Sequence, residues 1–110
     1  ICQGYGLGVP NIFHAGDGNL HPLVLYDVND PVQLEKAEAC GADILKLCVE
    51  VGGCLTGEHG VGIEKRDLML HQFTETDLNQ QLRVRAAFDP AWLLNPSKVF
   101  PLDLELRKAG

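Results

Sequence analysis

Apolar positions along the chain fall into five blocks, and their spacing predicts the elements. Val9, Ile12, Phe13 and Ala15 mark a first strand over residues 9–15, with Pro10 near its start where a missing N–H is tolerated. Leu20, Leu23, Val24, Leu25 and Tyr26 mark a second strand over residues 20–26. Pro22 inside it predicts an edge position, or a ring nitrogen directed away from the ladder. Between the two lies Gly16-Asp17-Gly18-Asn19. An Asp-Gly pair flanked by apolar runs predicts a hairpin, because a type I′ turn needs positive φ at both central residues. With Asp17-Gly18 as a two-residue loop, Ala15 faces Leu20 and His14 faces His21.

The spacing then changes from two to about three and a half. Ala37, Cys40, Ile44, Leu47 and Val51 form one stripe, which Leu34 extends at its start, and this predicts a helix over residues 31–51. Asp30 is placed to cap it, Pro31 suits the first helical position, and Gly52-Gly53 supplies a left-handed exit. A glycine-dense turn over residues 56–62 leads into a second predicted helix over residues 63–70. Thr74 or Thr76 caps a third, with Leu78, Leu82, Val84, Ala86 and Phe88 on its apolar side, and Asp89-Pro90 ends it. Residues 1–8 carry Gly4, Gly6 and Gly8 without the strand and helix of a dinucleotide-binding turn, and are expected to be a loop or frayed end. The polar tail over residues 103–110 is expected to fray. The order β-β-α-α-α is an α+β pattern: an antiparallel hairpin with three packed helices.

Composition narrows the function classes. The chain has 110 residues, which suits one domain. Nine Lys and Arg stand against fifteen Asp and Glu, a net charge of −6, so the basic footprint of a nucleic-acid or anionic-membrane binder is missing. No apolar run approaches the length of a membrane span. The chain opens Ile1-Cys2-Gln3-Gly4, without an initiator methionine or leader pattern, and is expected to be a piece cut from a larger protein. Cys2, Cys40, Cys48 and Cys54 include no C-x-x-C pair, which leads to the expectation of four reduced thiols in a cytosolic setting.

Two places carry candidate chemistry. Opposed residues on a hairpin project to one side with Cβ atoms roughly 4.5–5.5 Å apart, close enough for His14 and His21 to reach one ion. A cross-strand His pair also occurs without metal, so the spacing leaves both readings open. Glu58 and His59, between glycines that let other groups approach, are the natural further donors, although the same turn also serves as a plain helix start. Asp17 is explained by the turn alone, and His71 by a polar helix end.

The stretch from Phe13 to His21, F-H-A-G-D-G-N-L-H, resembles the H-x-G-D-G-N-L-H motif of the FAD-linked oxidase C-terminal domain. Gly57-Glu58-His59-Gly60-Val61-Gly62 followed by Lys65 resembles that family's G-E-H-G-x-G-x-x-K segment. Phe88-Asp89-Pro90 with Leu94-Asn95-Pro96-Ser97-Lys98 resembles its F-D-P and L-N-P-G-K ending. Three motifs in order, from residue 13 to residue 98, cover most of the chain. The resemblance implies a flavoenzyme of the vanillyl-alcohol oxidase type. Residues 1–110 would be the C-terminal part of its substrate (cap) domain, a larger ferredoxin-like unit, with the FAD-binding domain absent from this chain. It implies a divalent metal, commonly zinc, on His14, His21 and Glu58, and a catalytic base at His59. Asn95 would approach the flavin. The substrate would be a small (D)-2-hydroxy acid such as glycolate, oxidised to the 2-keto acid. Implied partners are the missing FAD domain, further glycolate oxidase subunits and a second copy in a homo-oligomer. The implied setting is cytoplasmic, peripheral to the inner membrane through partner subunits, and the 110 residues alone would be inactive.

Two positions depart from the family pattern. Leu23 stands where some relatives carry a substrate-contacting Asn, which weighs against a substrate with a second carboxylate. Ser97 stands where the family motif has Gly. Two other classes stay open on the residues alone. One is a metal-dependent hydrolase with Glu58 as base, and the other is a non-catalytic interaction module.

Overall fold

A computed structural model describes the backbone of residues 1–109 and the side chains of residues 1–105. The chain is α+β, a two-stranded antiparallel sheet with helices before and after it. It divides into two compact units, Ile1–Gly53 and Cys54–Gly110.

In the first unit a short helix α1 (Cys2–Tyr5) stands where a loop was expected, closed by Gly6 in the left-handed region. Strands β1 (Asn11–His14) and β2 (Asn19–Pro22) form the hairpin. The pairing continues past both strands, since Leu23 N–H bonds the Pro10 carbonyl and Leu25 N–H bonds the Gly8 carbonyl. Donors on the second strand therefore sit at odd positions, and Pro22 occupies a position that makes no ladder bond, as its missing N–H requires.

The hairpin register differs from the expected one. His14 pairs with Asn19, and His21 with Ile12. The loop is four residues rather than two: Ala15–Asp17 make one 3₁₀ turn, and Gly18, at φ 68°, closes it with its N–H on the Ala15 carbonyl. The physical reason lies at Asp17. A two-residue type I′ loop demands positive φ there, whereas the wider loop places the left-handed conformation on Gly18 alone.

The long helix α2 (Pro31–Glu50) starts and stops where the sequence says. The Asp30 carboxylate accepts from Val32 N–H at 3.0 Å and Gln33 N–H at 3.4 Å, and Pro31 fills the first turn. At the far end Gly53 N–H reaches the Cys48 carbonyl at 2.7 Å, and a Cβ at residue 53 would lie 2.8 Å from that oxygen, so only glycine fits. Ala37 and Cys40 of the predicted stripe are buried, while Leu47 and Val51 face solvent.

In the second unit, the predicted helix over residues 63–70 is shorter and later: a 3₁₀ turn at Arg66–Leu68 runs into α3 (Met69–Gln72). Helix α4 (Glu75–Phe88) is opened by a reciprocal capping box, with Asp77 N–H on Thr74 Oγ1 and Thr74 N–H on the Asp77 carboxylate. These bonds hold the Asp77 carboxyl below its usual pKa. Leu78 and Leu82 are buried as expected, whereas Val84 and Phe88 are exposed. The tail is a further helix, α5 (Leu102–Ala109), which contacts α4. Leu104 buries on it, which accounts for order in a segment whose polarity predicted fraying. Gly110 lies outside the described residues. Among the described residues no helix is long and apolar enough to cross a membrane.

Leu82 is 1% exposed and Val84, two residues on, is 62% exposed. Leu82→Ala is therefore expected to cost about 2–5 kcal/mol in urea unfolding, and Val84→Ala about 0.5 kcal/mol or less. Equal losses would mean that α4 presents a different face to the core.

Candidate functional site

Each unit presents part of the predicted donor set. In the first, His14 and His21 still share a face of the hairpin despite the changed register. His14 lies opposite Asn19, and His21 is two residues further along the same strand, so the imidazoles are diagonal neighbours rather than opposed. Diagonal positions are roughly 7–8 Å apart at Cα, a span that two imidazole side chains can close. Phe13 pairs with Leu20 on the other face. A one-residue slip would have put the two histidines on opposite faces; the observed two-residue change in pairing keeps them together.

In the second unit, Glu58 and His59 stand on the glycine-dense turn. Gly60 N–H bonds Thr56 Oγ1 at 2.8 Å and closes the turn from inside. Gly62 is tied by its carbonyl to Val99 N–H at 2.8 Å. Glu58 Oε1 and His59 Nε2 are 3.8 Å apart, and both side chains are open to solvent. Imidazole nitrogen and carboxylate oxygen are the donor types that suit a divalent transition ion, so the residues fit the implied metal in kind.

Asn95 lies on a loop over residues 89–99 whose backbone is unusual. Trp92, Asn95, Ser97 and Val99 all have positive φ, at 55°, 45°, 64° and 75°. Left-handed backbone at a non-glycine residue costs on the order of 1 kcal/mol or more, least for Asn and most for a β-branched residue. Side chains from two helices offset the cost. Asp89 accepts from Leu93 N–H at 3.0 Å and Leu94 N–H at 2.9 Å. Arg85 on α4 donates to the Leu94 carbonyl at 2.8 Å, and its guanidinium lies 4.4 Å above the Trp92 ring. Glu105 on α5 accepts from Ser97 N–H at 3.0 Å and pairs with Arg85 at 3.3 Å, and Arg66 donates to the Ser97 carbonyl.

The backbone N–H groups of Leu94 and Leu93, with the Arg85 guanidinium beside them, hold the Asp89 carboxyl below the usual carboxylate range. Beside the loop is an open depression of about 270 Å³, lined by Arg85, Phe88, Leu94, Asn95, Lys98 and Phe100. Arg85 and Glu105 received no role from the sequence. The only signal for them was an arginine preceding the F-D-P motif by three residues and one glutamate in a polar tail.

The family model for FAD linked oxidases, C-terminal domain, matches residues 1–99. The chain is 52% identical over 101 residues to glycolate oxidase subunit GlcD of Escherichia coli (strain K12), covering 92% of this chain and 20% of that protein. It is 36% identical over 107 residues to glycolate oxidase subunit GlcD of Bacillus subtilis (strain 168), covering 97% and 23%. It is 38% identical over 98 residues to a mitochondrial D-lactate dehydrogenase [cytochrome] of Kluyveromyces lactis, covering 89% and 16%. The chain thus spans about a fifth of the length of these curated relatives.

Two outcomes test the loop. A carboxyl with a depressed folded pKa contributes stability that is present above the ordinary Asp value of about 3.9 and is lost as pH falls through the depressed value. Asp89→Asn should lower stability at neutral pH and flatten the loss below about pH 4, read from urea midpoints across pH. Ser97→Gly removes left-handed strain where the family motif has Gly, and should raise the unfolding free energy by about 0.5–1 kcal/mol. A loss in that variant would show that the Ser97 side chain makes a contact worth more than the strain.

Proposed function

The chain belongs to the FAD linked oxidase C-terminal domain family, and from that premise we propose that it is the substrate-side part of a flavin-dependent oxidoreductase. Its substrate in this reading is a small (D)-2-hydroxy acid such as glycolate, which leaves as the 2-keto acid. Two relatives named as glycolate oxidase subunits support the substrate class, and the name "subunit" supports further glycolate oxidase subunits as partners. FAD is assigned mainly to the remainder of a longer protein, since the chain spans only about a fifth of these relatives. A cytoplasmic setting, peripheral to the inner membrane through those partners, belongs to the same reading.

The observation that carries the reading is the pairing of donors within each unit: two imidazoles on one hairpin face, and a carboxylate beside an imidazole on an exposed turn. His14, His21 and Glu58 would hold a divalent ion, zinc in this reading, which when bound supplies Lewis acidity toward a hydroxyl and a carboxylate. His59 then has one task, to take the substrate's hydroxyl proton on an imidazole nitrogen. Its neighbour Glu58 lies 3.8 Å away on the same turn, so base and metal ligand are presented side by side. The glycines of the turn leave room for substrate against both side chains. Bound FAD supplies the two-electron acceptor. Asn95 stands among exposed Phe88, Leu93 and Leu94, an apolar rim of the kind that suits a flat aromatic ring, with one amide to orient it.

The test uses the full-length protein. His59→Ala should slow substrate-dependent flavin reduction by about 10²–10⁴-fold in stopped-flow absorbance, and a rate near wild type would remove His59 as the base. Combined His14→Ala and His21→Ala should lose bound zinc or manganese by elemental analysis. Unchanged metal content would place the ligands elsewhere.

A further inference from the structure

Helix α1 meets α2 through two side-chain contacts. The Tyr5 hydroxyl donates to the Asp43 carboxylate, and Cys2 Sγ lies 2.8 Å from Cys40 Sγ. Residues 40 and 43 are one turn apart on α2, and residues 2 and 5 have the same spacing on α1, so the two contacts fix the helices against each other as a matched pair. All four cysteines are free thiols, but they are not alike. Cys40 is fully buried, Cys2 is partly exposed and Cys54 is exposed. A disulfide needs its sulfurs about 2.05 Å apart, so these two need to close by less than about 1 Å.

We propose that Cys2 and Cys40 are a dithiol that hydrogen peroxide converts to a disulfide, fastening α1 to α2. The Cys2 thiolate attacks one peroxide oxygen. An S–O bond forms, the O–O bond breaks, and the departing hydroxide takes a proton to give water and a sulfenic acid on Cys2. Cys40 then attacks that sulfur. The S–S bond forms, the S–O bond breaks, and the second hydroxide leaves with the Cys40 proton as water. Two thiols lose two electrons in all, and one peroxide becomes two waters. The order follows from the surroundings: burial, with the Cys2 contact, pushes the Cys40 thiol up to about 11, and solvent reaches Cys2 first. Neither metal nor flavin takes part in this oxidation, which is independent of the function proposed above.

Peptide mapping of the purified full-length protein tests it. Trypsin places Cys2 on the peptide ending at Lys36, Cys40 on residues 37–46, and both Cys48 and Cys54 on residues 47–65. After peroxide treatment, unfolding and alkylation with N-ethylmaleimide, the first two peptides should appear joined, lighter by two hydrogens than their sum. Dithiothreitol should separate them. Cys2→Ser, at a partly exposed site, should abolish the link and leave Cys40 alkylated, with folding checked by circular dichroism. Oxidation of Cys54 while Cys2 and Cys40 both carry the maleimide would overturn the proposal. So would a link from Cys40 to Cys48, or a link that forms only in urea.

Discussion

The second unit depends on one side chain, the Arg85 guanidinium. It is only 15% exposed, and a cation so placed must find anionic or carbonyl partners. It finds Glu105 on α5, Asp89 at the end of its own helix, the Leu94 carbonyl and the face of Trp92. These contacts tie α4 to α5 and to the loop between them. Asp89 and Glu105 also accept from backbone N–H groups of that loop, Glu105 through the same Oε1 that meets Arg85. Removing one partner from such a buried set typically costs about 3–5 kcal/mol, because the others are left charged and unpaired. The same contacts hold the loop's left-handed residues in place by fixing the N–H and carbonyl groups beside them. The loop bearing Asn95 is thus held from below by charge rather than by apolar packing, and its apolar side chains are left facing outward.

The first unit rests on a different constraint. A two-stranded hairpin is marginal by itself, and here Ile12, Phe13 and Leu20 are all at least half exposed. What fixes its register is local: one 3₁₀ turn, one left-handed glycine, and a ladder that runs on past the strands to Gly8 and Leu25. This stiffness matters for the proposed chemistry, because it sets which side chains share a face before any ligand arrives. The donors in the second unit are presented by another local device, a turn closed by the Thr56 hydroxyl. Both halves of the donor set are therefore defined within short stretches of chain.

Much of this was legible in the residues, and the reason is range. The cap at Asp30, the exit at Gly52-Gly53, the capping box at Thr74 and the hairpin around Gly18 all depend on groups within a few positions of one another. So do the three family motifs, which the match over residues 1–99 bears out. Ser97 adopts the left-handed backbone that the family glycine would take freely, so the departure changes the strain at that point and keeps the turn. The register of the hairpin was missed by two residues because the type of a tight loop turns on which residue accepts positive φ. An Asp-Gly pair at its centre does not decide that alone.

By itself, the sequence determined the α+β class, the ends of α2, the capped start of α4 with its buried leucines, and the membership of the family. Tertiary structure decided what polarity and periodicity do not encode. The tail after Pro101 reads as solvated, yet Leu104 and Glu105 are buried because α4 offers a hydrophobic face and Arg85 a countercharge. Leu47 and Val51 belong to the apolar stripe of α2, yet they are exposed while Ala37 and Cys40 of the same stripe are buried. Amphipathic spacing states which face can be buried, and only the presence of a partner surface settles which part of it is. The roles of Arg85 and Glu105 lie twenty residues apart in sequence and 3.3 Å apart in space, a distance that only the folded chain makes short.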